Sequence, residues 1–219
     1  CRWASPCSAL SFAGMQVPVQ AWAAGGEVIS LPLDFQRAAA LLVSQRVDAL
    51  SCTPTFLNLL LQECGPALAQ WTPAQITLGG EVLRARAAEN FRQAFPGTDF
   101  RLIYASAEFG VLLETGDLDG WYEAAALEKR YPKWRVEGDE LQLWVNDEWK
   151  GTGDRVELSG KRIRVIGRGD SVANVAGAKI DLNEVAQLAE EVAGVTQARA
   201  FAAPSEVTGQ IVGLRITPE

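Results

Sequence analysis

Histidine is absent from this chain of 219 residues, and the sequence has only four cysteines. Without histidine the usual general base is missing, which excludes serine-histidine and cysteine-histidine hydrolase mechanisms within the chain. Cys1, Cys7, Cys52 and Cys64 do not have the spacing of metal ligands, so we expect no zinc site. Because nothing resembles a secretory signal, reduced thiols and a cytoplasmic location are the simplest expectation.

Long apolar runs and a clustered basic surface are also missing. The longest apolar run, residues 38–43, is far shorter than the roughly 20 residues that cross a bilayer, and so is the leucine-rich segment 57–61, which contains Asn58; we therefore expect no transmembrane segment. A formal net charge of -7 and an isoelectric point near 4.8 argue against a nucleic-acid partner. Because the chain opens with cysteine instead of methionine, we also expect a missing upstream part.

The composition that remains, 48% hydrophobic and 21% charged residues, is typical of a globular protein with a real core. Helical periodicity and short apolar strands alternate along the first half of the chain, a pattern that predicts a mostly parallel sheet. Ligands of such sheets bind beyond the carboxyl ends of the strands. Helices are predicted at residues 13–23, 35–45, 53–62 and 82–94, and strands at residues 27–31, 49–51, 76–78 and 100–104.

After about Val111 the pattern changes to short alternating segments separated by glycines, which predicts a small antiparallel, barrel-like sheet. Residues 167–170 then have the composition of a linker, and a helix is predicted at 183–192, capped by Asp181 or Asn183. Strands of the small sheet are predicted at residues 134–136, 140–145, 154–158 and 162–166.

Three strings stand in a fixed order. The first is Leu-Gly-Gly-Glu at 78–81, and the second is Tyr-Ala-Ser-Ala-Glu-Phe-Gly at 104–110. The third has three parts: Thr-Gly-Asp at 152–154, Gly-Arg-Gly-Asp at 167–170 and Asn-Val-Ala-Gly-Ala-Lys-Ile at 174–180. In this order they resemble the adenylate-forming (AMP-binding) enzymes, which include acyl-CoA synthetases, luciferases and the adenylation domains of peptide synthetases. The resemblance covers essentially the whole chain and is weakest before Gly14.

This resemblance implies a partial acetyl-CoA-synthetase-like α/β fold. Residues 1–110 would form an incomplete α/β subdomain of the large domain, residues 111–168 the small barrel-like subdomain, and residues 169–219 the hinge and the first part of the C-terminal lid. The N-terminal subdomain and the rest of the lid would lie outside the chain.

The resemblance also implies an AMP-forming ligase of the acyl-CoA synthetase type. A small-molecule carboxylic acid would react with ATP to give an acyl-adenylate, and the acyl group would pass to a thiol, commonly coenzyme A or that of a carrier protein. ATP, magnesium and coenzyme A are therefore the expected cofactors and cosubstrates.

The matching residues suggest a nucleotide site. Gly79 and Gly80, with Glu81 beside them, would let the flat adenine ring approach the backbone, and Tyr104 would stack on the opposite face of the ring. Glu108 resembles the glutamate that holds magnesium on the ATP phosphates, since magnesium needs only one or two protein carboxylates. An edge-strand aromatic is the alternative for Tyr104, and a solvated helix-start carboxylate the alternative for Glu108.

Two further residues resemble nucleotide ligands. Asp154 resembles the aspartate that accepts hydrogen bonds from both ribose hydroxyls, and Arg168 the arginine that contacts the same nucleotide. Surface ion-pair roles are the alternative for both residues.

Residues of the lid and of the acid site also have matches in the family. Asp170 matches the hinge position, and Gly177 with the neighbouring Lys179 matches the lid loop on the thiol side, where a plain surface lysine is the alternative for Lys179. The acyl pocket is expected at Phe12, Gly14 and Met15, which fit an ordinary buried helix equally well.

The chain departs from the family in three respects. Ala107 stands where a hydroxyl residue usually precedes the magnesium glutamate, and loss of such a hydrogen bond costs on the order of 2 to 4 kcal/mol in a transition state. The phosphate-binding loop and the lid lysine are absent from the 219 residues. We therefore expect the isolated segment to be inactive, and a degenerate non-catalytic homologue or a peptide-synthetase adenylation domain remains an alternative.

Overall fold

The computed structural model describes residues 1–168, 172–176, 178–205 and 207–218. Two compact units are present, the first formed by Cys1–Arg130 with Gly160–Ile163 and the second by Tyr131–Ser159 with Arg164–Glu219. None of the helices in the described ranges has the length and hydrophobicity that crossing a membrane requires.

The first unit contains a six-stranded sheet in which five strands run parallel. The six strands are β1 (Arg2–Ser5), β2 (Glu27–Ser30), β3 (Ala49–Cys52), β4 (Gln75–Gly79), β5 (Asp99–Ser106) and β6 (Gly110–Thr115). Their order across the sheet is β2-β1-β3-β4-β5-β6, and only β6 is antiparallel to its neighbour. The prediction of a mostly parallel α/β sheet is therefore confirmed.

Helices connect the parallel strands, and side chains cap three of them. They are α1 (Phe12–Ala23), α2 (Phe35–Ser44), α3 (Pro54–Leu68) and α4 (Ala85–Ala94). Ser11 accepts a hydrogen bond from the Gly14 N–H to start α1, Asp34 starts α2 in the same way, and Thr53 starts α3 ahead of Pro54. Each cap satisfies an N–H that lacks a partner within the helix. The predicted helices are thus present, although α4 begins three residues later than predicted.

The core of the first unit lies on both faces of the central strands, where consecutive residues are buried: Ala49 and Leu50 on β3, and residues 76–78 on β4. Consecutive side chains of a strand point to opposite faces of the sheet. Trp71 anchors one end of the sheet: its indole N–H donates to the Val47 carbonyl at 2.8 Å, and its ring packs edge-on against Phe95. Fully buried side chains fill the space between the helices and the sheet, among them Leu42, Leu50, Leu57, Leu60, Ile76, Leu78 and Phe91.

Four elements of the first unit were not predicted. They are β1, β6, and the segment formed by β7 (Trp121–Glu123) and α5 (Ala124–Arg130). Because β6 pairs with β5 and α5 contacts β6, the compact unit continues to residue 130, whereas the predicted subdomain ends at residue 110. Residues 160–163 join the same unit, where the Lys161 carbonyl accepts a hydrogen bond from the Ala124 N–H. The predicted division into subdomains stays a prediction about the complete protein.

The second unit contains two small groups of strands. The first comprises β8 (Trp134–Glu137), β9 (Glu140–Val145), β10 (Glu148–Ser159) and the part of β11 (Arg162–Arg168) that follows residue 163, in the order β11-β10-β9-β8. The pairs β8-β9 and β9-β10 are antiparallel, as predicted for this part of the chain.

The other group of strands carries one helix on its face. Its strands are β12 (Val172–Val175), β13 (Ala178–Asp181), β14 (Val195–Ser205) and β15 (Gly209–Pro218), ordered β13-β12-β15-β14, and its helix is α6 (Leu182–Glu190). A small cluster of Ala186, Val195 and Ala198 joins α6 to β14. Of the two predicted caps of this helix, Asp181 is the one that caps it.

Replacing Phe91 tests the packing of the first unit. Phe91 on α4 has no exposed surface, so Phe91→Ala is expected to lower the free energy of unfolding by about 3 to 5 kcal/mol. The half-exposed neighbour gives the control: Arg92→Ala is expected to change stability by less than about 0.5 kcal/mol. Urea unfolding followed by circular dichroism measures both, and equal effects would contradict the packing described.

Candidate nucleotide site

The carboxyl ends of β4 and β5 bring Gly79, Gly80 and Tyr104 to one edge of the sheet. Gly79, the last residue of β4, is paired in register with Ile103, so Gly80 follows beside Tyr104. Tyr104 itself remains within β5, where it is buried and paired with Leu113 of β6. A Cβ atom added to Gly79 would lie 3.3 Å from the Ile103 carbonyl oxygen, and Gly80 has a φ of +81°. Both positions therefore favour glycine for backbone reasons. The result is a bare backbone beside a tyrosine at the edge where ligands of parallel sheets bind.

Glu81 points its carboxylate back to the start of α3. Its Oε2 atom accepts a hydrogen bond from the Thr55 N–H at 3.1 Å, while the Thr53 hydroxyl oxygen accepts one from the Phe56 N–H. A carboxylate at a helix N-terminus is favoured by the helix dipole. This contact ties the loop that contains Gly80 to α3, a structural role for Glu81 that the sequence did not predict.

Ala107 and Glu108 lie in the tight turn between β5 and β6. Ser106 pairs with Gly110 across this turn, and its hydroxyl oxygen accepts a hydrogen bond from the Phe109 N–H at 3.1 Å. Both Ala107 and Glu108 are exposed. The turn follows β5 directly, so Glu108 lies four residues beyond Tyr104 at the same end of the strand.

No group of three or more histidine, cysteine, aspartate or glutamate side chains within the described part of the chain could hold a metal ion. A metal ion at Glu108 would therefore take most of its ligands from water and from a bound phosphate. That arrangement suits magnesium, which keeps several waters and binds one or two carboxylates together with phosphate oxygens.

Asp154 lies in a bulge of β10. The strand pairs are Gly151 with Gln142 and Arg155 with Glu140, so the three residues 152–154 stand opposite the single residue Leu141. Extra residues of this kind bend the strand and redirect side chains.

Hydrogen bonds hold the bulge in place. The Thr152 hydroxyl donates to the Leu141 carbonyl at 3.0 Å and accepts from the Asp154 N–H at 3.2 Å. Glu140 accepts from the Gly153 N–H at 2.9 Å, and Gly153 has a φ of +74°. The Thr-Gly-Asp string therefore forms a hydrogen-bonded turn whose backbone conformation favours glycine at its centre.

Within the second unit, Arg168 lies beside Asp154. The Arg168 Nε atom is 3.3 Å from Asp154 Oδ1; the Asp154 side chain is only 8% exposed, whereas that of Arg168 is 62% exposed. An ionised carboxylate acts only as a hydrogen-bond acceptor. Asp154 and Arg168, the two residues of this unit that were predicted to contact a nucleotide, thus lie side by side. Asp154 belongs to the second unit and Tyr104 to the first, so a cleft shared by both stays a prediction.

The predicted acyl-pocket residues lie at the start of α1. Phe12 is half-buried, Met15 is 53% exposed, and a Cβ atom at Gly14 would lie 1.9 Å from the Ser8 carbonyl oxygen. Close backbone packing accounts for Gly14, and the acyl pocket stays a prediction. Asp170 and Gly177 lie outside the described residues, as does the side chain of Lys179, whose backbone belongs to β13.

Cys52 ends β3 at the same edge of the sheet as Gly79. Burial raises the pKa of its thiol well above the usual range, and the nearby Cys7 and Glu81 raise the pKa further. The thiolate is the nucleophilic form of cysteine, so Cys52 is an inert core thiol near neutral pH.

The hydrogen bond from Gly153 to Glu140 gives a test of the Thr-Gly-Asp turn. Glu140→Ala removes the acceptor and is expected to cost about 1 kcal/mol, with faster amide exchange at Gly153. Glu140→Gln keeps an oxygen acceptor and is expected to retain most of the protection. Amide exchange measured by NMR separates the two variants, and equal protection of Gly153 in both would contradict the assigned role of Glu140.

Comparison with known proteins gives matches at the level of structure. No family model matches the sequence, and no curated protein matches it. MatB from Rhodopseudomonas palustris, solved with bound ATP, is similar over 100% of this chain and 50% of its own, with 17% identity and a TM-score of 0.77. A variant of E. coli MenE with bound OSB-AMS is similar over 99% of this chain and 50% of its own, with 18% identity and a TM-score of 0.75.

A third similar structure is the coronafacic acid ligase from Pectobacterium brasiliense, over 100% of this chain and 49% of that one, with 15% identity and a TM-score of 0.68. These solved structures are adenylate-forming ligases. The chain spans about half the length of each. The predicted fold is confirmed by these matches: the chain has the α/β fold of about half of an adenylate-forming ligase.

Proposed function

We propose that the complete protein is an AMP-forming ligase that activates a carboxylic acid with ATP and transfers the acyl group to a thiol, as an acyl-CoA synthetase does. One observation carries the proposal: Gly79 and Gly80 lie beside Tyr104 at the ligand-binding edge of a parallel sheet, in a chain with the fold of adenylate-forming ligases. MatB, which has this fold, was solved with ATP, and MenE from Bacillus subtilis with an acyl-adenylate intermediate.

The adenine would lie between the Gly79-Gly80 backbone and the Tyr104 ring. Tyr104 is held on a strand that is paired on both sides, and Glu81 holds the glycine loop against α3. Because both walls are positioned before a ligand binds, little conformational entropy is lost on binding.

Ribose binding is assigned to the second unit. The Asp154 carboxylate would accept hydrogen bonds from the two ribose hydroxyls, and Arg168 would donate to oxygen atoms of the same nucleotide. Partial burial of Asp154 strengthens such charge-assisted hydrogen bonds.

Glu108 would hold the magnesium ion on the phosphates of ATP, and the ion supplies charge neutralisation when it is bound. The first step forms a bond between a carboxylate oxygen and the α-phosphorus and breaks the bond to pyrophosphate. In the second step a thiol sulfur attacks the acyl carbon and AMP leaves. Positioning and charge stabilisation carry most of this chemistry, which fits a chain without histidine.

The remaining assignments complete the proposal. Coenzyme A is the proposed thiol, with a carrier-protein thiol as its competitor, and the proposed location is the cytoplasm. Phe12, Gly14 and Met15 would face the acid, Asp170 would act as the hinge, and the lid loop with Gly177 and Lys179 would approach the thiol.

A second candidate, a homologue that binds a nucleotide or acyl group without catalysis, is favoured by Ala107. The β5-β6 turn has a methyl group there, so it offers no side-chain donor or acceptor next to Glu108. A peptide-synthetase adenylation domain shares the scaffold, and a carrier domain encoded beside the protein would favour it.

Exchange of pyrophosphate into ATP, measured on the complete protein with a panel of carboxylic acids, tests the main proposal. Glu108→Gln and Asp154→Asn are each expected to lower the exchange rate by about 100-fold, because both remove charge contacts to the nucleotide. The exposed residues Glu128 and Asp147 give matched controls, and Glu128→Gln and Asp147→Asn are expected to leave the rate unchanged. Absence of exchange with every acid would contradict the ligase proposal.

Ala107 gives a separate test of the two candidates. Ala107→Thr restores a hydroxyl beside Glu108 and is expected to raise the exchange rate by about 100-fold, since one such hydrogen bond is worth about 2 to 4 kcal/mol in a transition state. Ala107→Val has nearly the same shape without the hydroxyl and is the control. Equal rates for Thr and Val would contradict the assigned hydrogen bond. ATP binding without exchange in either variant would favour the non-catalytic homologue.

A further inference from the structure

Arg155, the residue after Asp154, connects two parts of the second unit. Its Nε atom donates to Asp139 Oδ2 in the turn between β8 and β9, and its Nη1 atom donates to Asp181 Oδ2 at 3.1 Å. The Arg155 side chain is 21% exposed and that of Asp181 16%, whereas the exposed pair Lys150–Glu148 on the same strand is 39% and 64% exposed. Partial burial makes a charged contact stronger than a surface pair.

Asp181 uses its two carboxylate oxygens for different purposes. Oδ1 caps α6 by accepting from the Asn183 N–H at 2.8 Å and the Glu184 N–H at 3.4 Å, and Oδ2 accepts from Arg155. The ion pair therefore acts directly on the first turn of α6.

A second contact brings the same turn to the end of β11. A Cβ atom added to Gly167 would lie 2.5 Å from Asn183 Nδ2, so the backbone of β11 passes closely over α6. Arg168 follows Gly167 and pairs with Asp154. Two adjacent residues of β10 thus bind charged residues on either side of residues 169–171 in the chain. Asp154 pairs with Arg168, which precedes this segment, and Arg155 pairs with Asp181, which follows it.

We propose that Arg155 is a positioning residue: its ion pair with Asp181, here called the latch, holds the start of α6 against β10 and is coupled to ligand binding at Asp154. The inference rests on the proposed function, in which Asp154 binds the ribose. Asp154 and Arg155 are consecutive residues of β10, so a ribose that binds the Asp154 carboxylate also acts on the backbone that positions Arg155. Occupancy of Asp154 therefore changes the geometry, and with it the strength, of the contact between Arg155 and Asp181.

Hydrogen exchange measured by mass spectrometry on the ligand-free 219-residue chain tests the latch. Arg155→Gln and Asp181→Asn are each expected to speed amide exchange in residues 182–190 by about fivefold, because both remove the charged pair. Asparagine remains a good helix cap, so Asp181→Asn separates the ion pair from the cap. Lys150→Gln, which removes the exposed pair on β10, is expected to leave exchange in α6 unchanged.

Two further variants make the ligand-free test decisive. The double variant Arg155→Gln with Asp181→Asn is expected to exchange no faster than either single variant, since both changes remove one interaction. Arg155→Lys keeps the charge without the planar fork and is expected to restore part of the protection. Unchanged exchange in Arg155→Gln, or multiplied effects in the double variant, would overturn the latch. Unchanged exchange in α3 and unchanged circular dichroism check that the variants remain folded.

A nucleotide arm, performed on the complete protein with ATP and magnesium, separates coupling from a purely structural role. ATP is expected to slow exchange at residues 152–154 in the wild type and in Arg155→Gln, but to change exchange in α6 by more than about twofold only in the wild type. An equal α6 response in both proteins would overturn the coupling. No protection at residues 152–154 in either protein would count against the proposed function, whereas the ligand-free arm would still decide the latch.

Discussion

Parallel pairing of β4 with β5, in the register that sets Gly79 opposite Ile103, is the constraint on which the candidate site in the first unit depends. This register brings a glycine turn and a tyrosine to the same edge of the sheet through backbone pairing. A slip of one residue would send Tyr104 to the opposite face of the sheet, because side chains alternate along a strand. The buried apolar residues on both strands prevent such a slip, since it would expose them.

Bulges and turns place the charged residues where regular strands could not. Asp154 is buried and faces Arg168 because residues 152–154 occupy the space of one residue on β9. Glu140 and the Thr152 hydroxyl stabilise this geometry through hydrogen bonds to the backbone. In the first unit the turn after Ser106 gives Glu108 its exposed position at the end of β5. Both motifs thus combine a rigid strand with a short irregular segment, which is common in binding sites.

Local signals predicted most of the elements, because helix caps and strand periodicity depend on neighbours in sequence. Helices α1, α2 and α3 begin at or close to their predicted positions, where Ser11, Asp34 and Thr53 supply the caps. Strands β1 and β6 were not predicted, because a short strand without clear alternation can be identified only from the strand with which it pairs. The same limit explains the boundary of the first unit, where β6 and α5 join the sheet through β5.

The sequence by itself determined the α/β character of the chain, the order of its glycine-rich strings and the identity of the residues that resemble nucleotide ligands. Only the tertiary structure decided that Glu81 accepts a hydrogen bond at the start of α3, that Arg168 lies against Asp154, and that Arg155 joins Asp139 to Asp181. The physical reason is the range of the interactions. A cap or an alternating strand is specified within a few residues, whereas an ion pair between residues 26 positions apart exists only after strands and turns have brought the charges together.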